Sequence, residues 1–173
     1  FHDIPHQVEG AAASAVLSGA DMLTMHAVGG SAMMAAGHRG AEAAAFERKV
    51  PVPATLAITV LTSMDAESLA ATGVSRALPE QVSSLAVQAR EAGLSGIVCS
   101  PQEASSMREL LGLDAFIVTP GVRPAGSAKG DQSRVATPAQ AFENGASHIV
   151  VGRPITQAED PVAAFEAIAA ELD

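Results

Sequence analysis

Apolar residues along this chain gather in five short runs, each bounded by turn-forming residues. They are "DMLTMHAV" (21–28), "ATLAITVL" (54–61), "SGIVCS" (95–100), "AFIVTPGV" (115–122) and "SHIVVG" (147–152). None alternates cleanly between apolar and polar positions. Such runs read as strands buried on both faces, as in a parallel sheet covered by helices. The segments between them carry helix signals. Ser100-Pro101 with Glu103, Thr137-Pro138 with Gln140, and Asp160-Pro161 each place a capping side chain before a proline at the first helical turn. "EAG" (91–93) and "ENG" (143–145) put a glycine where a helix stops. Within 79–93, Val82, Leu85, Ala86 and Ala89 share one helical face. The Ala-rich stretch 31–49 reads as an outer helix or a helix pair, with Met33 and Met34 as packing residues.

Strand, loop, capped helix and strand therefore repeat, and alternating βα units give a parallel sheet, open or closed into a barrel. A stub, "FHDIP" (1–5), precedes the first run and reads as the end of another strand. A full barrel takes eight strands and about 250 residues. Read as a barrel, the chain lacks roughly its first two to three βα units. No linker or low-complexity segment divides it, so 1–173 is expected to be one partial barrel domain.

Composition narrows the functional class. With 173 residues, 48% of them hydrophobic, there is ample material for one core. No apolar stretch is long enough to span a membrane, and no secretory signal is visible. The lone Cys99 rules out an internal disulfide and fits the reducing cytoplasm, where it reads as a small buried hydrophobe. A net charge of −9 and the lack of Trp and Tyr argue against nucleic acid as a partner. Any anion must be held at a local site, against the overall field.

The unusual polar residues fall at the carboxyl ends of the strands, where barrels keep their chemistry. Thr62 and Ser63 end the second run, Pro120 and Arg123 the fourth, and Gly152 and Arg153 the fifth. Barrels frequently hold phosphate after their last two strands. Gly152 allows close backbone approach, and Arg153 offers a charge-assisted bond to a phosphate oxygen. The glycine-rich loop 121–134 has the make-up of a lid, from which Gln132 could close over a phosphate. A Gly-Arg pair after a strand is as often a plain turn. "GSAKGDQ" lacks the Gly-Lys-Ser/Thr ending of a nucleotide-triphosphate loop. Pro5 between His2 and His6 opposes a helical metal pair, and His26 reads as a hydrogen-bonded core residue rather than a base.

Taken together, "FHDIP", "MHAVGG" (25–30), "TVLTSM" (59–64), "VTPGVRP" (118–124), "GDQSR" (130–134) and "VVGRPITQAEDP" (150–161) resemble the bacterial orotidine 5′-phosphate decarboxylases, in family order over essentially the whole chain. The resemblance implies a (β/α)8 TIM barrel, active as a homodimer and needing neither cofactor nor metal. It implies conversion of orotidine 5′-monophosphate to uridine 5′-monophosphate in pyrimidine biosynthesis. The family signature is Asp-x-Lys-x-x-Asp-Ile-Pro, and Asp3 falls on its second Asp. By resemblance Asp3 joins the charged array, reaching the active site of the other subunit, and Ile4 lines the ring pocket. Thr62 and Ser63 meet the pyrimidine edge with Pro120 nearby, while Arg123, Gln132, Gly152 and Arg153 hold the phosphate.

Two features depart from the family. His6-Gln7 stands where Asn-Thr is usual, so Gln7 occupies the position of the usual Thr among the substrate-binding candidates. The signature Lys and first Asp fall before Phe1, so the 173 residues alone are expected to be inactive and of doubtful stability. Two other readings compete: a related, magnesium-dependent sugar-phosphate barrel enzyme of the keto-gulonate-phosphate decarboxylase or hexulose-phosphate synthase type, and a non-catalytic truncated binding protein.

Overall fold

The computed structural model describes residues 1–124 and 136–172. In chain order the elements are α1 (Pro5–Leu17), β1 (Met22–His26), a 3₁₀ turn (Ala27–Gly29), α2 (Ser31–Arg48), β2 (Ala54–Ile58), α3 (Ala66–Ala71), α4 (Leu78–Glu91), β3 (Gly96–Val98), α5 (Ala104–Leu111), β4 (Phe116–Thr119), α6 (Pro138–Glu143), β5 (His148–Ile149), α7 (Arg153–Thr156) and α8 (Pro161–Ala170). Among the described residues the strands form one five-stranded sheet in the order β1-β2-β3-β4-β5. Every pairing is parallel. Sequential order without reversal is the arrangement of a βα barrel wall, since a doubly wound sheet reverses direction part-way.

Phe1 extends this sheet. Its nitrogen donates to the Thr24 carbonyl at 2.7 Å, and its carbonyl accepts the His26 N–H at 2.9 Å. That exchange sets Phe1 beside Met25 in parallel sense. The segment 1–4 therefore runs alongside β1 and ends at the same rim, and α1 begins at once with Pro5.

The register separates the two faces of the sheet. Met25, Ala57, Ile97 and Ile117 lie in one row, each no more than 1% exposed, and belong to the main core cluster. This row lies under the helices: a Cβ at Gly37 of α2 would stand 2.8 Å from Met25 Cε and 2.9 Å from Val8 Cγ1 of α1. The expectation of strands buried on both faces holds in part. On the opposite face Leu56, Gly96 and Val118 are buried too, while Thr24, His26, Ile58, Val98 and Phe116 are half-buried and His148 is exposed. Alternation was hidden because that face also carries apolar side chains.

Most helix signals are realised. Thr137 and Gln140 form a reciprocal capping box, and the Asp160 carboxylate accepts the N–H groups of Val162 and Ala163. Val82, Leu85, Ala86 and Ala89 are the buried face of α4. Gly93 and Gly145 take φ of +88° and +92°, the left-handed conformation that ends a helix. Ser100 and Glu103 act differently from the expected helix cap. Glu103 accepts the Ser100 N–H at 2.9 Å, and Ser100 Oγ accepts the Gln102 N–H at 3.2 Å, closing a turn before α5 starts at Ala104. The Ala-rich stretch is one continuous helix, α2, and a short α7 intervenes between Gly152 and the last helix.

Small residues let α1 and α2 approach each other closely. A Cβ at Gly40 would collide with the backbone carbonyl of Glu9, which cannot swing aside as a side-chain end would. Gly10, also in α1, has open space around its missing Cβ. Gly40→Ala is expected to cost about 2–3 kcal/mol in urea unfolding through overpacking. Gly10→Ala is expected to stabilise by about 0.5–1 kcal/mol through helix propensity. Equal effects of the two substitutions would contradict this packing.

Candidate active site

Parallel strands in consecutive order bring all their carboxyl ends to one rim. Backbone bonds carry the pairing past the strand ends: Thr59 N–H donates to Val98 O, Cys99 N–H to Val118 O, and Val150 N–H to Thr119 O. The chemistry-bearing residues follow on this rim. Asp3 and Ile4 lie exposed at the end of the Phe1 segment. The Asp3 carboxylate accepts the N–H of Ile4 at 2.7 Å. Gln7 is exposed in the first turn of α1.

Thr62 and Ser63 occupy the segment between β2 and α3. Thr62 is buried at 8% exposure and Ser63 is exposed. Beyond β4, Pro120 is half-buried, and Gly121 takes φ +80° to turn the chain inward. Arg123 is 9% exposed, an unusual burial for a guanidinium, and its Nη1 donates to the Val122 carbonyl at 2.8 Å. Its backbone N–H donates to Ala136 O at 3.0 Å, and Val122 and Ala136 form a parallel bridge. The loop that leaves after Arg123 thus returns beside it. Gln132 and most of the loop read as a lid lie outside the described residues. Gly152 precedes α7, whose first residue is Arg153, and both are exposed. Because β4 and β5 are neighbours, the Arg123 and Gly152-Arg153 segments leave adjacent strands.

Two histidines at this rim were read differently from the sequence. His26, at the end of β1, stacks its ring on His2, with centroids 5.7 Å apart and planes inclined by 26°. It also borders a cavity of about 320 Å³ lined by apolar side chains such as Val60, Leu61, Met64 and Leu85. Among the described residues, no candidate substrate-binding residue lines this cavity. Its lining joins His26 and Val28 of the 25–30 motif and Thr59, Val60, Leu61 and Met64 of the 59–64 motif to residues of α3 and α4, so two short motifs reach it although neither by itself announces a cavity. Among the described residues no group of three or more His, Cys, Asp or Glu stands close enough to hold a metal ion. No helix among them is long and apolar enough to cross a membrane.

Comparison with known proteins decides between the readings of this rim. The sequence model of the "Orotidine 5′-phosphate decarboxylase / HUMPS family" matches residues 1–168. The chain belongs to this family. Orotidine 5′-phosphate decarboxylase of Moorella thermoacetica is 55% identical over 176 residues, covering 100% of this chain and 69% of that protein. The enzyme of the same name from Anaeromyxobacter sp. strain K is 53% identical over 172 residues, covering 99% of this chain and 72% of its own length. Among solved structures, the orotidine 5′-phosphate decarboxylase of Lactobacillus acidophilus superposes with a TM-score of 0.85 at 40% identity, over 100% of this chain and 72% of that one. The decarboxylase fold is thus shared across the whole described sheet, and the family's barrel accounts for the in-order parallel strands.

Burial first, and then the neighbouring His2, hold the His26 imidazole below its ordinary value of 6.5. The fold therefore favours the neutral ring. Its stabilising contribution is complete above pH 6.5 and is lost as the pH falls from 6.5 through the lower folded value. Ring-proton NMR is expected to give His26 a midpoint below 6.5. A midpoint at or above that value would contradict the packing described.

Proposed function

We propose that this chain is the nucleotide-gripping part of an orotidine 5′-phosphate decarboxylase, which removes CO₂ from orotidine 5′-monophosphate to give uridine 5′-monophosphate in pyrimidine biosynthesis. The observation that carries this reading is 55% identity to an enzyme of that name over the whole chain. Thr62, Ser63, Pro120, Arg123, Gly152 and Arg153 standing on strand ends of one rim support it.

In this reading the C6–carboxylate bond breaks and its electron pair stays on C6 of the ring. The Lys of the family signature, which falls before Phe1, stabilises that charge and then protonates C6. Asp3 sets negative charge against the departing carboxylate, so that release of CO₂ relieves a repulsion present only in the ground state. Thr62 and Ser63 offer hydroxyls to the pyrimidine edge, with Pro120 and Ile4 packing by the ring and Gln7 near the ribose. Arg123, Gly152 and Arg153, with Gln132 from the loop, take the phosphate. Grip on that remote group offsets the desolvation and strain at C6. We read the working form as a cytoplasmic homodimer in which Asp3 serves the partner's site. The exposure of Asp3 and Ile4 at the rim agrees with that arrangement.

The test is decarboxylation of orotidine 5′-monophosphate by the full-length gene product, followed by loss of absorbance. Turnover unaffected by a metal chelator is expected. Dependence on magnesium, or turnover of a hexulose phosphate instead, would favour the sugar-phosphate branch of the family. Arg153→Ala and Arg123→Met are each expected to lower kcat/KM by about 100-fold or more, through lost charge-assisted bonds to phosphate. Both should affect a substrate analogue without phosphate far less.

A further inference from the structure

We propose that His26 is a positioning residue for Asp3, acting through the ring of His2. The inference rests on the reading of Asp3 as part of the charged array. Asp3 is exposed, and the bond its carboxylate makes is to its own neighbour, the N–H of Ile4. Such a bond fixes the side chain relative to the local backbone but not to the rest of the rim. Placement of that backbone falls to the residues on either side.

On the far side, α1 starts immediately at Pro5. On the near side, the His26 N–H donates to Phe1 O at 2.9 Å, which sets His2 next to His26 on neighbouring extended segments. Residues so paired project to the same face, and their rings meet at a 5.7 Å centroid distance. The His2 ring also lies close to Gly29 of the 3₁₀ turn. A Cβ there would stand 3.1 Å from His2 Cδ2 and 3.5 Å from Nε2. The exposed His2 ring thus has both the imidazole of β1 and the 3₁₀ turn as neighbours. Asp3 is one residue on, so lateral play of the His2 ring becomes lateral play of the carboxylate. A neutral His26 suits this contact, since two imidazolium rings so close would repel.

Misplacement of a reacting group by about 1 Å can cost about 100-fold in rate. In the full-length gene product, His26→Ala and His2→Ala are each expected to lower kcat by about 10- to 100-fold with KM changed less than about twofold. His26→Phe keeps a ring for His2 to stack on and is expected to recover most of the rate. On an Asp3→Asn background, His2→Ala is expected to cause no further loss, because the group it positions has already gone. Circular dichroism checks folding; should His26→Ala not fold, the exposed His2 variant and His26→Phe carry the test. Wild-type kcat in His2→Ala beside a low kcat in Asp3→Asn overturns the positioning role. So does a full additional loss in the double variant. Wild-type kcat in Asp3→Asn would instead overturn the reading of Asp3 itself.

Discussion

Parallel pairing of consecutive strands is the constraint from which the rest of this structure follows. A parallel neighbour can be reached only by crossing back over the sheet, and right-handed crossovers place successive helices on the same side. Met25, Ala57, Ile97 and Ile117 are sealed by those helices into one row. The same constraint delivers every strand's carboxyl end to one rim. Residues as distant in sequence as Asp3, Thr62, Arg123 and Arg153 become candidates for a single site without any local signal linking them.

Close packing makes that arrangement rigid where the chemistry requires it. Gly37 and Gly40 let α2 lie against Met25 and the backbone of α1, while Gly96 leaves room for the Phe116 carbonyl of the adjacent strand. Arg108 binds the wall at its other end. Its guanidinium donates to the carbonyls of Gly145, Gly112, Leu113 and Ala115, joining the end of α5 to the turns before β4 and β5. With both ends of the βα units tied, the rim segments can differ in length and polarity without disturbing the sheet.

Electrostatics sharpens the division of labour. The chain carries a net charge of −9, yet its proposed ligand is an anion. In the proposed function, attraction comes from a few cations set among strand ends, with Arg123 almost wholly buried and Arg153 exposed. A buried guanidinium loses little order on binding, whereas an exposed one can swing to meet the phosphate. Specificity in such a site lies in placement more than in total charge, and the ring contacts around Asp3 answer the same need on the opposite edge of the sheet.

By itself the sequence determined the βα repeat, the polar residues at three of the five strand ends and at the stub before them, the α4 face of Val82, Leu85, Ala86 and Ala89, and the caps at Thr137 and Asp160. These depend on spacing and on bonds between residues a few positions apart, so the local chain encodes them. The family motifs, too, were legible as short strings. The short-range bonds of Ser100 and Glu103, by contrast, close a turn ahead of α5 rather than cap it. Tertiary structure alone decided that one face of the sheet is sealed more completely than the other, and that His2 meets His26. Those outcomes depend on register between segments far apart in the chain, and a register has no imprint on either segment read alone.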